Sequence, residues 1–297
     1  MTTTTTLVWS EVKLLAREPL TLLVSLLFPV MLMALLVASF GNEPDPDFDG
    51  IGGADFYVPI YSAAAIAVMG FLGLPTHLAA YRERGVLRRF RAAGIGIASV
   101  LVANALVMAV LVAVGSAAMI GLGFAAHDLS APASTPGVVA GFAFGTLAFA
   151  ALGMLLGSLV RTARAAQGLG LLLFFGLFFV SGGGPPPSLL PDALNTAVGL
   201  TPMGPLVAAV SDPWHGNGTN VAALAWLAAI AVAASLAAWW AARGEHAPSP
   251  TTALWRGVAL TRRGVALTRR VGGLGAPAPV SPRGGTPGRS PATGSRR

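Results

Sequence analysis

Six stretches of almost unbroken apolar residues, over positions 20–40, 56–81, 95–126, 137–160, 166–181 and 221–242, constrain this chain more than any other feature. A helix needs roughly 18–20 apolar residues to cross a hydrocarbon core of about 30 Å, and these runs recur along the whole chain instead of standing once near its start. With only 10% charged residues against 54% hydrophobic ones, water is not the main solvent. In lipid every backbone amide must be satisfied within its own element, which leaves helices or a closed barrel, and runs of this length select helices. The sequence predicts an all-α polytopic membrane protein with six transmembrane helices. The first run is too long for a signal-peptide core and is expected to be retained. Pro29, Pro59 and Pro75 fall inside runs and predict kinks, because neighbouring helices can satisfy the freed carbonyls.

Charge sets the expected orientation. Arginine and lysine hold a loop in the cytoplasm, whereas acids contribute little. Lys13 and Arg17 precede the first run; Arg82, Arg84, Arg88, Arg89 and Arg91 follow the second; Arg161 and Arg164 follow the fourth; ten arginines lie from Arg243 onward. The alternate loops hold no basic residue and carry Glu43, Asp45, Asp47, Asp49, Asp55, Asp128, Asp192 and Asp212 instead. Both termini are therefore expected in the cytoplasm, and the net charge of +7 reads as topology and contact with membrane lipids, with no nucleic-acid partner.

Three regions follow. Residues 1–19 alternate apolar and charged positions and predict an amphipathic helix in the cytoplasmic interface, with Trp9 as its anchor. Residues 20–243 form the six-helix transmembrane domain. Residues 244–297, rich in Pro, Gly, Ser and Arg with RGVALTR repeated at 256–262 and 263–269, cannot bury enough apolar surface to fold and are expected to be a disordered basic cytoplasmic tail.

Chemistry-bearing motifs are sparse. There is no cysteine, and the only lysine, Lys13, follows no glycine-rich loop, so no Walker A site is present in these residues. Residues 45–50, DPDFDG, resemble the opening of a calcium loop, but position 12 is Phe56, which cannot chelate; no metal site is expected. No membrane-hydrolase constellation stands out. Ion-coupled carriers hold ionisable groups at mid-membrane; here His77 and Asn104 are the nearest candidates, and both read more simply as polar contacts near a helix end. Gly141, Gly145, Gly153 and Gly157 form two G-x-x-x-G units on one ridge of the fourth helix and predict close helix packing, favoured within the subunit.

Residues 81–94 read YRERGVLRRFRAAG, a short basic helix between two spans with Val86, Leu87 and Phe90 on one side, suited to docking in a partner's groove. The segment resembles the E-R-G-T-L-x-R-L signature after the second span of ABC-2 type permeases, the membrane subunits of bacterial drug, antibiotic and polysaccharide exporters, including those of the daunorubicin-resistance type. Val86 stands where that family usually has Thr, and Gly94 near where it often has Pro. A second stretch, SGGGPPPSLLPDALNTAVGLTPM over 181–203, resembles the family's S-G-x-x-x-P-x-x-x-L-P segment. The resemblance covers about residues 1–243. It implies an exporter permease, not itself an enzyme, in the bacterial inner membrane. Its coupling helix would engage a separate ATPase through Arg82, Glu83, Arg84, Gly85, Leu87, Arg88, Phe90 and Arg91. A short re-entrant segment after the fifth span would carry Ser181, Gly182, Pro187, Leu190, Pro191 and Pro202. ATP and Mg would be bound by the partner ATPase and no cofactor by this chain, which would pair with a second permease as a homodimer or heterodimer. An ion-coupled secondary transporter and a non-transporting scaffold or enzyme are the alternatives.

Overall fold

In a computed structural model of the protein the described residues are 41–48, 50–94, 97–126, 128–184 and 191–244, with a few single positions between 31 and 39. The interfacial helix expected over 1–19, nearly all of the first apolar run with Pro29, residues 185–190 with Pro187 and Leu190, and the tail from 245 lie outside them.

The regular elements among the described residues are helices, and the strand-like geometry there is a single bridge between Asp45 and Ile51. Helix α1 (Gly53–Val68) runs through a π turn (Met69–Gly73) into α2 (Leu74–Glu83). After a tight turn come α3 (Val86–Ala92), α4 (Ile97–Ala126), α5 (Thr135–Leu159) and α6 (Ala163–Phe178), the last ending in a second π turn (Phe179–Gly183). A short α7 (Asp192–Leu200), α8 (Met203–His215) and α9 (Val221–Gly244) complete the described residues. Among the described residues five helices are long and apolar enough to cross a membrane: Gly53–Glu83, Ser99–Ala126, Thr135–Leu159, Ala163–Gly183 and Val221–Trp240. They correspond to the second to sixth predicted spans. The α7–α8 pair, bent by 93°, would make a further one if counted as a single broken span.

Between lipid-soluble helices the usual hydrophobic driving force is absent, so close packing must hold the bundle together. Helix α5 is its axis. Phe149 and Ala148 are fully buried, and the helix touches α9, α8, α2 and the first π turn. On the glycine ridge, Gly141 lies against the Ala209 carbonyl of α8 and Gly145 against Leu206. Farther along, a Cβ placed on Gly153 would stand 2.5 Å from the Gly70 carbonyl oxygen, and one on Gly157 2.9 Å from Leu78 Cδ2. All four glycines face helices of the same chain.

The first π turn explains the approach at Gly153. Pro59 leaves α1 helical throughout; the irregularity comes where the Leu74 amide bonds to the Met69 carbonyl, five residues back, and Pro75 has no N–H to offer. The Leu74 amide is thereby drawn away from the Gly70 carbonyl, and the absence of a side chain at Gly153 leaves room for that oxygen.

The loops gather at two ends. Among the described residues, 41–48 with 50–52, 128–134 and 216–220 meet at one end, the first two stretches bearing Glu43, Asp45 and Asp128; the basic stretches 84–94 and 160–162 meet at the other. At the acidic end Asp55 accepts from the Ser130 amide (2.7 Å) and hydroxyl (2.8 Å). Asn42 accepts from the Asp55 amide (3.1 Å) and donates to the Asp128 carbonyl (3.1 Å). His215 Nε2 donates to the Asp55 carbonyl (2.9 Å). The DPDFDG stretch folds as a turn in which Phe48 and Gly50 donate to the Asp45 carbonyl, and Phe48 is buried edge-on against Tyr57.

Candidate functional site

At the basic end α2 stops because Arg84 and Gly85 form the turn: the Arg84 amide bonds the Ala80 carbonyl and the Gly85 amide the Arg82 carbonyl. Gly85 has φ +68° with open space around it, a left-handed conformation that costs a side-chain-bearing residue about 1 kcal/mol or more. This turn reverses the chain and lays α3 beside α2 and the start of α4.

Helix α3 then divides its residues. Leu87 is buried with Leu78, Val100 and Ala103, and Tyr81, Phe90 and Leu101 pack against that cluster. Phe90 stacks edge-on to Tyr81 at 6.2 Å, which in turn lies 4.3 Å from the His77 ring. The apolar side of α3 is thus turned into its own bundle. Glu83, Arg84 and Arg89 are exposed. Arg88 and Arg91 belong to the same helix, with side chains outside the described residues.

Arg82 points elsewhere. Its Nη1 donates to the carbonyls of Ser158 (2.9 Å) and Val160 (3.3 Å), at the C-terminal end of α5. The last carbonyls of a helix have no intrahelical donor and carry partial negative charge, so an arginine across them satisfies both needs. The turn it grips is short and capped: Thr162 Oγ1 accepts from the Ala165 amide (3.2 Å) and starts α6. Arg161 on that turn and Arg164 in the first turn of α6 are exposed. Nothing in the sequence pairs positions 82 and 158–160, because the bond joins segments brought together only by the packing of α2 on α5.

The 181–203 segment begins in the second π turn. Ser181 and Gly182 leave the helix, Gly182 with φ +94°, and the chain end is held by two tyrosines of α1: Tyr61 O–H donates to the Gly183 carbonyl (2.9 Å) and Tyr57 O–H to that of Gly184 (3.2 Å). Pro191 begins α7, and Thr201 and Pro202 sit at the 93° bend before α8. Leu194 and Leu200 are exposed, whereas Met203, Leu206 and Val210 are buried. The tyrosine clasp has no signature in the sequence, because its acceptors are backbone carbonyls.

The polar residues weighed for ion coupling have local roles. Asn104 donates to the Val100 carbonyl of its own helix (2.9 Å), and His77 takes part in the aromatic stack above. Among the described residues no three His, Asp or Glu side chains group closely enough to hold a metal ion.

Comparison with curated proteins gave no match. The profile of one family, described as ABC-2 type transporter, matches residues 2–212.

Proposed function

The chain belongs to the ABC-2 type transporter family, and on that premise we propose that it is the membrane-spanning permease of an exporter whose ATP is hydrolysed by a separate subunit. The observation that carries this reading is the α2–α3 hairpin: a short helix fixed to the spans by its apolar side and presenting Glu83, Arg84 and Arg89 outward. These 297 residues include no lysine outside position 13, hence no phosphate-cradling Walker A loop. Energy must then enter by contact, and a rigid charged projection between two spans is suited to receive it.

In this reading the basic end is cytoplasmic, in keeping with the arginine distribution. Closure of the partner ATPases around ATP pushes α3. Leu87 and Phe90, packed on Leu78 and Val100, pass the push to α2 and α4 as a tilt. A second permease copy completes the pathway, and the cargo is an amphipathic drug, antibiotic or lipid-like molecule, the class that partitions into a site built of apolar helices. No cofactor is held by this chain; ATP and Mg belong to the partner.

The test is ATP-driven movement of an amphipathic fluorescent dye into inverted vesicles, the equivalent of efflux from the cell, with the permease and a candidate ABC ATPase from the same organism present. Efflux is expected to require ATP and to continue when the proton gradient is collapsed with ATP maintained. Efflux that stops with the gradient would replace the proposal with an ion-coupled carrier.

A further inference from the structure

Arg82 does more than end a helix. It fastens the α2–α3 hairpin to the α5–α6 turn through Ser158 and Val160, so Arg161 and Arg164 are held on the same end of the bundle as Glu83, Arg84 and Arg89. All five are exposed, four arginines with one glutamate among them. Both pieces are internally stiff: the hairpin by the buried Leu87 cluster, the turn by the Thr162 cap and the Arg82 bonds.

We infer that these two loops form one composite docking face, and that Arg161 and Arg164 bind an acidic surface of the partner ATPase alongside α3. The inference rests on the proposed separate ATPase and goes beyond it by assigning a contact to the α5–α6 turn. A protein partner is favoured over lipid phosphates by the fixed mosaic of signs. Anionic headgroups need only positive charge and are repelled by Glu83, whereas a structured surface can pair each charge in register. The apolar residues of α3 are already used within the bundle, which leaves charge as the means of recognition.

The experiment uses the full chain in lipid nanodiscs and a candidate ABC ATPase from the same organism, with association measured at low and high salt. Arg161→Gln with Arg164→Gln is expected to weaken association by about tenfold at low salt and to flatten its salt dependence, since two screened charge contacts are lost. Arg84→Gln with Arg89→Gln is expected to act similarly. Unaltered thermal unfolding identifies a properly folded double variant; should that variant misfold, Arg164→Gln alone is expected to show a smaller loss of the same kind. Wild-type-like affinity and salt slope in the folded variant would overturn the inference, confining docking to α3. So would a variant whose only change is its response to anionic lipid in the nanodisc, which would make the arginines headgroup contacts. Failure of the unsubstituted permease to bind the ATPase would instead overturn the reading of a separate ATPase.

Discussion

The two ends of the bundle are built on opposite principles. At the acidic end, hydrogen bonds tie together segments far apart in the chain: Asp55 to Ser130 and His215, Asn42 to Asp128, Tyr57 and Tyr61 to the broken end of α6. Their polar atoms are occupied with one another. At the basic end a single arginine and a small apolar cluster do the fastening, and Glu83, Arg84, Arg89, Arg161 and Arg164 face outward. Polar groups that fold a protein are consumed by internal partners, whereas groups that meet another molecule must stay available. The sealed end is suited to act as a fulcrum and the open end as the handle.

Helix α5 joins the two, and its glycines offer the most forceful way to break the contrast. Gly141 meets backbone, the Ala209 carbonyl, whereas Gly157 meets the movable Leu78 side chain. Gly141→Ala is therefore expected to cost about 3 kcal/mol and to lower the yield of monodisperse protein in detergent, while Gly157→Ala should cost about 1 kcal/mol. Size-exclusion yield and thermal unfolding in the same detergent separate them. Equal effects would mean that backbone contact on the α8 side is no more rigid than side-chain contact on the α2 side.

Asp55 comes next. Asp55→Ala removes a carboxylate that accepts two bonds from Ser130, leaving that loop's amide and hydroxyl to water. A loss of about 1–2 kcal/mol is expected, with faster hydrogen exchange at 128–134 and ATPase association unaffected. An impaired association would show that the acidic end does not work only as a support.

Much of this was legible in the sequence. The five described spans follow from run length alone, and the sorting of loops into two ends follows from the alternation of arginines and acids. The segment 81–94, expected as one short basic helix, is instead divided at Arg84–Gly85, where the left-handed Gly85 ends one helix and a second begins at Val86. What hydropathy could not supply is which apolar residues pack. Leu78 is 7% exposed and Leu172 is 72% exposed, yet the two are the same residue, because lipid and protein interior are equally apolar. For the same reason the apolar side of α3 read as a free docking patch, while Leu87 is buried against Val100. The Arg82 brace was out of reach because its acceptors are backbone carbonyls, which carry no residue identity for a sequence to reveal.

Arg82 tests whether the open end works as one piece. Arg82→Gln loses the charge that suits helix-terminal carbonyls and is expected to cost about 1 kcal/mol of stability. Transport should fall more than stability does, because the α5–α6 turn is no longer fastened to the hairpin. Dye efflux compared with ATP hydrolysis in the same vesicles reads this: hydrolysis retained with efflux reduced is the expected outcome, and a proportional loss of both would reduce Arg82 to a structural role.

The smallest effect on folding belongs to Arg89, and it is the sharpest comparison with Asp55. Its side chain is exposed, so Arg89→Gln should change stability by no more than about 0.5 kcal/mol, as for most surface substitutions. Its neighbour Phe90 packs on the Leu87 cluster, and Phe90→Ala should lower stability by about 1–2 kcal/mol because that contact is only half-buried. The two therefore separate recognition from transmission on one helix. Arg89→Gln is expected to weaken ATPase binding in a salt-dependent way while leaving efflux per bound ATPase intact. Phe90→Ala should leave binding nearly unchanged and reduce efflux per ATP hydrolysed. If instead Phe90→Ala abolishes binding while Arg89→Gln does nothing, the partner reads the apolar side of α3, and that side must turn outward in the complex, which would make the hairpin itself a moving part.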